Sequence, residues 1–160
     1  MANSDVAFLP SVLDRLLDEH SGAAPRTRSR AQQLLDLRNA IRRDLEALLN
    51  THQCCRAPPP DMPELGRSLI DYGAPDFSTL NAGAAAARES FRRAIEDIIR
   101  RFEPRFKLVK VTLLDVASAA DRTLRFRIEA LMYAEPAPER ISFDSLLDPA
   151  SQIYSVVGGA

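Results

Sequence analysis

The chain has 160 residues, a formal net charge of -1 and 46% hydrophobic residues. That suits one domain with an ordinary buried core and excludes bulk-charge attraction to nucleic acid or anionic membrane. There is no tryptophan and only 6% of residues are aromatic, too few rings for a base-stacking platform. All but two of the 21 basic residues are arginine, the exceptions being Lys107 and Lys110. Arginine suits bidentate interface pairing, although a GC-rich coding sequence explains the same bias. Met1 to Asp5 lack the basic and apolar regions of a signal peptide, and no apolar run approaches the ~20 residues of a spanning helix. The expectation is a soluble, cytoplasmic protein. Cys54 and Cys55 are adjacent, which predicts free thiols, neither a disulfide framework nor a zinc site.

In chain order, Phe8, Leu9, Val12, Leu13, Leu16 and Leu17 fall on one side of a short amphipathic helix. It either docks on a partner or packs on its own domain. Residues 21–30 carry Gly22, Pro25 and several Ser and Thr residues and read as a flexible linker. Residues 1–160 are thus expected to form a single domain, with 1–30 as an N-terminal helix and linker. Residues 31–50 form the longest helical pattern, with Leu34, Leu37, Ile41, Leu45, Leu48 and Leu49 as its apolar stripe. Pro58-Pro59-Pro60 and Pro63 then predict an exposed loop. Leu65 to Tyr72 suggest a short helix with Leu65, Leu69 and Ile70 inward and Gly73 as its stop. Asp76 or Ser78 is a candidate cap for the next helix.

That helix is expected over about Leu80 to Phe102, with Phe91, Ala94, Ile95, Ile98 and Ile99 in its stripe. Glu89 with Arg93, Glu96 with Arg100 and Asp97 with Arg101 are acid-before-base pairs four residues apart, each adding little on an exposed face. Pro104 disfavours helical geometry at Glu103 and ends the helix. From Phe106 to Leu114 the pattern is that of a largely buried strand. Leu124, Phe126, Ile128, Ala130 and Met132 alternate with polar neighbours, as do Ile141, Phe143 and Ser145, and a last short strand fits Ile153 to Val157. The fold class is α+β, with N-terminal helices packed on a C-terminal antiparallel meander.

Chemistry-bearing patterns are few. Neither His20 nor His52 sits in a nucleophile elbow or a zinc motif, and no Gly-rich phosphate loop exists. No cofactor or metal is expected. Glu103 with Asp76 or Asp115 is a conceivable glycosidase pair. However, Arg105 stands two residues from Glu103, and a cation disfavours the protonated acid that such chemistry needs. The opposed charges of Glu103 and Arg105 at a helix-to-strand joint point to docking in a larger assembly. An exposed pair contributes only ~0–1 kcal/mol, whereas truncating one partner of a pair desolvated in an interface costs ~2–5 kcal/mol. The competing reading is that the pair merely closes the fold.

Four stretches, in this order, carry a family resemblance: Leu45-Glu46-Ala47-Leu48-Leu49-Asn50-Thr51, Tyr72-Gly73-Ala74-Pro75-Asp76-Phe77, Phe102-Glu103-Pro104-Arg105-Phe106 and Ile141-Ser142-Phe143-Asp144-Ser145. Over residues 8–157 the chain resembles TssE, the type VI secretion baseplate family also called phage lysozyme-like or sheath-initiator. The segment from Cys54 to Pro60 and the small Ala74 depart from the family pattern. The resemblance implies a non-enzymatic wedge component of a contractile injection machine, in a cytoplasmic baseplate docked at the inner membrane complex. Its implied partners are the wedge subunits TssF and TssG, TssK, and the sheath subunits TssB and TssC. The family's Glu-Pro-Arg motif maps onto Glu103, Pro104 and Arg105 as partner-binding residues. The alternatives are a peptidoglycan hydrolase, or a small adaptor or anti-adaptor on the same fold.

Overall fold

A computed structural model describes residues 29–54, 59, 61–62, 64–65, 68–77, 84–114, 123–133, 137–148 and 151–158, together with Leu16. The expected N-terminal helix apart from Leu16, the expected linker up to residue 28, Cys55, the proline run apart from Pro59, Ser78, and the turn after Leu114 lie outside the described residues. Helix α1 spans Arg30–Asn50, and its first turn is capped by the Ser29 side chain, which accepts from the Gln32 N–H. The leucine stripe faces inward: Ile41, Leu45, Leu48 and Leu49 are buried, and Leu34 and Leu37 pack beside them. Helix α2 spans Ala85–Phe102 and buries Phe91, Ile95, Ile98 and Ile99. Its N-cap is Ala84, with no side-chain cap bond, so Asp76 does not fill that role.

Strands β1 (Phe106–Leu113), β2 (Leu124–Met132), β3 (Glu139–Asp148) and β4 (Ile153–Gly158) form one antiparallel sheet in the order β1-β2-β3-β4. Period-two alternation puts Phe126, Ile128, Phe143, Leu147, Tyr154 and Val156 under the helices. α1 packs chiefly on β4 and α2 on β1. The other sheet face is open, and there Arg127 of β2 pairs with Asp144 of β3 at 2.6 Å. Edge-to-face ring contacts run Phe77–Phe91–Phe126–Tyr154 through the core, at 4.8, 5.6 and 6.4 Å between centroids.

Three expectations are corrected. Strand β1 is not largely buried, because an irregularity between Phe106 and Leu108 shifts the alternation and leaves Leu108 64% exposed. Where a helix is expected at 65–72, the described residues give 3-10 conformation at 64–65 and at Leu69–Asp71, with Leu69 86% and Ile70 49% exposed and Asp71 buried instead. Asp71 turns inward because Arg101 and Gln53 both bond its carboxylate. That also redirects Arg101, so Asp97 pairs with Arg100 at 3.2 Å. The other two helix pairs form as expected, Glu89–Arg93 and Glu96–Arg100, each at 2.8 Å.

The outer rim of β1 is closed by α2. Glu96 accepts the Val111 N–H at 3.1 Å, and Arg92, 2.8 Å from Glu96, reaches the Val111 carbonyl at 3.5 Å. Burial pushes the Glu96 carboxyl up, but the Val111 N–H, Arg100 and Arg92 outweigh it and hold it below the ordinary value. Hydrogen bonds from Arg92 and Arg93 hold Glu89 down to about 2, from an ordinary 4.5. Carboxyls lowered by folding contribute fully above their ordinary range and lose that contribution as pH falls through the folded value. As pH falls below the ordinary carboxylate range and Glu96 takes up a proton, the Val111 amide is therefore expected to lose exchange protection before the Ile128 amide of the interior strand β2. Hydrogen exchange read by NMR checks this.

Burial without a partner marks another position. The Tyr154 hydroxyl and the Ser145 hydroxyl have no hydrogen-bond partner among the described residues, and burial raises the Tyr154 phenol well above its ordinary value. Removing an unpaired buried hydroxyl relieves a desolvation cost. Tyr154→Phe is expected to leave stability unchanged or raise it by up to ~1 kcal/mol, as thermal denaturation followed by circular dichroism would show.

Candidate functional site

The joint after α2 is built by its proline. Glu103 is the C-cap residue, and its N–H reaches the Ile99 carbonyl at 2.9 Å. Pro104 has no N–H with which to continue the helix. The chain turns at once, and the Phe106 N–H bonds back to the Glu103 carbonyl at 3.3 Å. This turn swings the Glu103 side chain inward, leaving the residue 5% exposed, while Pro104 stays exposed.

Arg105 supplies the countercharge. Its Nε donates to Glu103 Oε1 at 2.6 Å, its backbone N–H donates to the same oxygen at 3.2 Å, and its Nη2 bonds the other carboxylate oxygen. Nη2 also donates to Asp44 Oδ2 on α1 at 2.8 Å. Burial works against the Arg105 charge, but Glu103 and Asp44 outweigh it and hold the guanidinium protonated. The Tyr133 N–H at the end of β2 bonds the Arg105 carbonyl at 3.0 Å. One arginine thus ties α1, the end of α2, and the adjoining ends of β1 and β2.

The other singled-out stretches converge on the same place. Tyr72 sets its ring edge-on to Phe102 at 5.2 Å. Burial, then Asp44 and Glu103, push its phenol up, so it remains a neutral hydroxyl beside the carboxylates. Gly73 has φ +112, and a Cβ there would meet the Thr51 carbonyl oxygen at 2.3 Å. The close approach allows the Ala74 N–H to reach Thr51 O at 2.7 Å and the Gln53 N–H to reach Ala74 O at 2.9 Å. Glycine is the residue type that permits both the positive φ and the approach. Thr51 thereby becomes the seat for the Tyr-Gly-x-Pro-Asp turn.

Beside the joint lies an open apolar groove of about 630 Å3, lined by Leu65, Ser68, Leu69, Ile70, Tyr72 and Phe102. Among the described residues no three His, Cys, Asp or Glu side chains gather closely enough to hold a metal ion. His52 is exposed and meets Ala74 through its backbone. Of the conceivable acid pair, Asp76 is exposed, Glu103 is buried, and Asp115 lies outside the described residues. No helix among the described residues is long and apolar enough to cross a membrane.

Glu103, Pro104 and Arg105 fall together as expected, but two members of the cluster carried no sequence signal. Asp44 lies 61 positions from Arg105, and Asp71 lies 30 positions from Arg101. Both read simply as polar residues beside an apolar stripe or turn.

The family described as "Baseplate wedge protein gp25" matches residues 35–137, well over half of the chain. The chain belongs to the baseplate wedge gp25 family. The matched segment contains most of α1, the Gly73 turn, α2, the joint and strands β1 and β2. It therefore includes every residue of the Arg105 cluster. A curated relative in Salmonella arizonae, "Anti-adapter protein IraD", is 30% identical over 131 residues, covering 82% of this chain and 86% of that protein. The gp25 family is a structural baseplate family by its description, and the relative is described as an anti-adapter. A baseplate-related structural role follows from the family.

Proposed function

We propose that this chain is the TssE-type wedge subunit of a type VI secretion baseplate. In this reading it holds TssF and TssG in the wedge, lies near TssK, and seeds the TssB–TssC sheath from a cytoplasmic baseplate docked at the inner membrane complex. The supporting observation is the gp25-family match over a segment that contains the whole Arg105 brace. Since Glu103 is buried and Arg105 already bridges two carboxylates, the joint acts on partners by shape. It holds the exposed Pro104 and the flanking helices in a fixed relation, without offering a free charge. Non-enzymatic action fits the same geometry, because both Glu103 oxygens are engaged by Arg105 and the residue is 5% exposed, which leaves little room to meet a substrate.

Affinity purification of the tagged chain from its native host tests this. Recovery of wedge and sheath subunits is the expected result. Recovery of a protease adaptor without them would favour the anti-adapter reading, which rests on the Salmonella relative. Lysis of purified peptidoglycan that disappears in Glu103→Gln would overturn the non-enzymatic reading altogether. Seeding of the sheath by strand addition to an edge of the C-terminal sheet is best probed at exposed positions of the edge strand β4. Deleting residues 139–160 would remove Phe143, Leu147, Tyr154 and Val156 from the core. Ile153→Lys with Val157→Lys alters only exposed positions, and intact sheath assembly in that double variant would refute the strand-addition idea.

A further inference from the structure

The two rims of the sheet are defended unequally. β1 carries Lys107 and Lys110, the only lysines in the chain, in addition to the Glu96 and Arg92 contacts at Val111. Lysines on an outer strand oppose pairing with another chain. β4 reads Ile153-Tyr154-Ser155-Val156-Val157-Gly158 and carries no charged residue. It is short, uncharged and rich in β-branched residues, the composition that pairs readily with a copy of itself.

Its rim is nevertheless closed, and one side chain does most of the closing. The Asn50 Oδ1 accepts the Tyr154 N–H at 2.9 Å, and its Nδ2 donates to the Tyr154 carbonyl at 2.9 Å. Those are the two bonds a neighbouring antiparallel strand would make with that residue. The second Nδ2 hydrogen is held by the Glu46 carbonyl at 2.9 Å, which fixes the amide against the helix. One turn-pair earlier on α1, Arg42 donates to the Val156 carbonyl at 3.3 Å. Among the described residues no other group bonds the outward-facing N–H and C=O groups of β4. Ile153 and Val157 stand 58% and 55% exposed on the adjoining face.

We propose that Asn50 is a strand-mimicking plug that keeps β4 from pairing with β4 of a second copy of this chain. A second copy is the occupant argued for because an uncharged β4 meets no like charge in its own image. The antiparallel arrangement also closes as a two-fold dimer without further growth. The plug is a single exposed side chain, so it is displaceable without unfolding the helix that carries it. The inference concerns the isolated chain and stands apart from any baseplate role.

The test is the oligomeric state of the purified protein by light scattering after size exclusion. Wild type is expected as a monomer. Asn50→Ala is expected to tighten self-association by about ten-fold or more, and adding Val157→Lys to it is expected to restore the monomer through like-charge repulsion across the paired strands. A folded Asn50→Ala variant that remains monomeric overturns the proposal, as does a wild-type dimer that Val157→Lys dissociates. A second measurement needs no variant. In the wild type, the Tyr154 amide should exchange about as slowly as the interior ladder amides while the Gly158 amide exchanges fast. Equal, fast exchange at both positions overturns the plug even if Asn50→Ala fails to fold.

Discussion

Arg105→Ala is expected to destabilise the isolated chain by about 3 kcal/mol. The residue removed is not a surface charge. Its guanidinium neutralises a 5%-exposed Glu103 and bridges to Asp44, so alanine leaves one carboxylate buried with only the residue-105 backbone N–H as a donor at 3.2 Å. Breaking a buried pair on one side costs more than the intact pair contributes, because the remaining charge stays desolvated. The double variant Glu103→Gln, Arg105→Ala is therefore expected to be more stable than Arg105→Ala alone. Urea denaturation of the four proteins in that cycle measures the coupling. Equal stability of wild type and Arg105→Ala would refute the brace and return the pair to the surface class. The prediction also constrains partner studies, since loss of co-purification in Arg105→Ala is informative only in a variant shown to be folded.

Gly73→Ala is expected to cost about 3 kcal/mol or more. Two separate penalties act at that position. An L side chain is strained at φ +112, and its Cβ would meet the backbone oxygen of Thr51 at 2.3 Å. A backbone atom cannot swing aside as a flexible side chain does. The Ala74 N–H bond to Thr51 O and the Gln53 N–H bond to Ala74 O would have to lengthen together. At roughly 2–4 °C per kcal/mol for a domain of this size, the melting temperature is expected to fall by about 10 °C. The loss should spread to the Tyr72–Phe102 contact, because Tyr72 directly precedes the strained residue. A melting temperature within a degree of wild type would show that the turn relaxes freely.

Both predictions concern the same small volume. There the end of α1, the Gly73 turn and the helix-to-strand joint meet, and the family match spans all three. What the chain offers a partner in that region is an arrangement held rigid from inside. The features that face outward are Pro104 and the groove beside Leu69, Ile70 and Phe102. The open sheet face lies elsewhere on the molecule, whereas the β4 rim is guarded by Asn50, the neighbour of the Thr51 that seats the Gly73 turn.

The amino-acid sequence determined which faces of the two helices and of strands β2 and β3 are buried. A period of 3.6 or 2 is a local property, and the core needs only that each element present an apolar side. It also placed the joint, because Pro104 ends a helix whatever surrounds it. Other features were decided only by the tertiary structure. Arg105 takes a second carboxylate from α1, Asp71 captures Arg101 from the i,i+4 partner its helix offered, and a β1 irregularity puts Leu108 in solvent. Asn50, which ends a helix in sequence terms, instead closes the rim of a strand 104 positions away. Each of these pairings joins groups distant along the chain, and choices between local and distant partners are settled by burial, since a charge or backbone group taken out of water must be satisfied by whatever the fold brings near it.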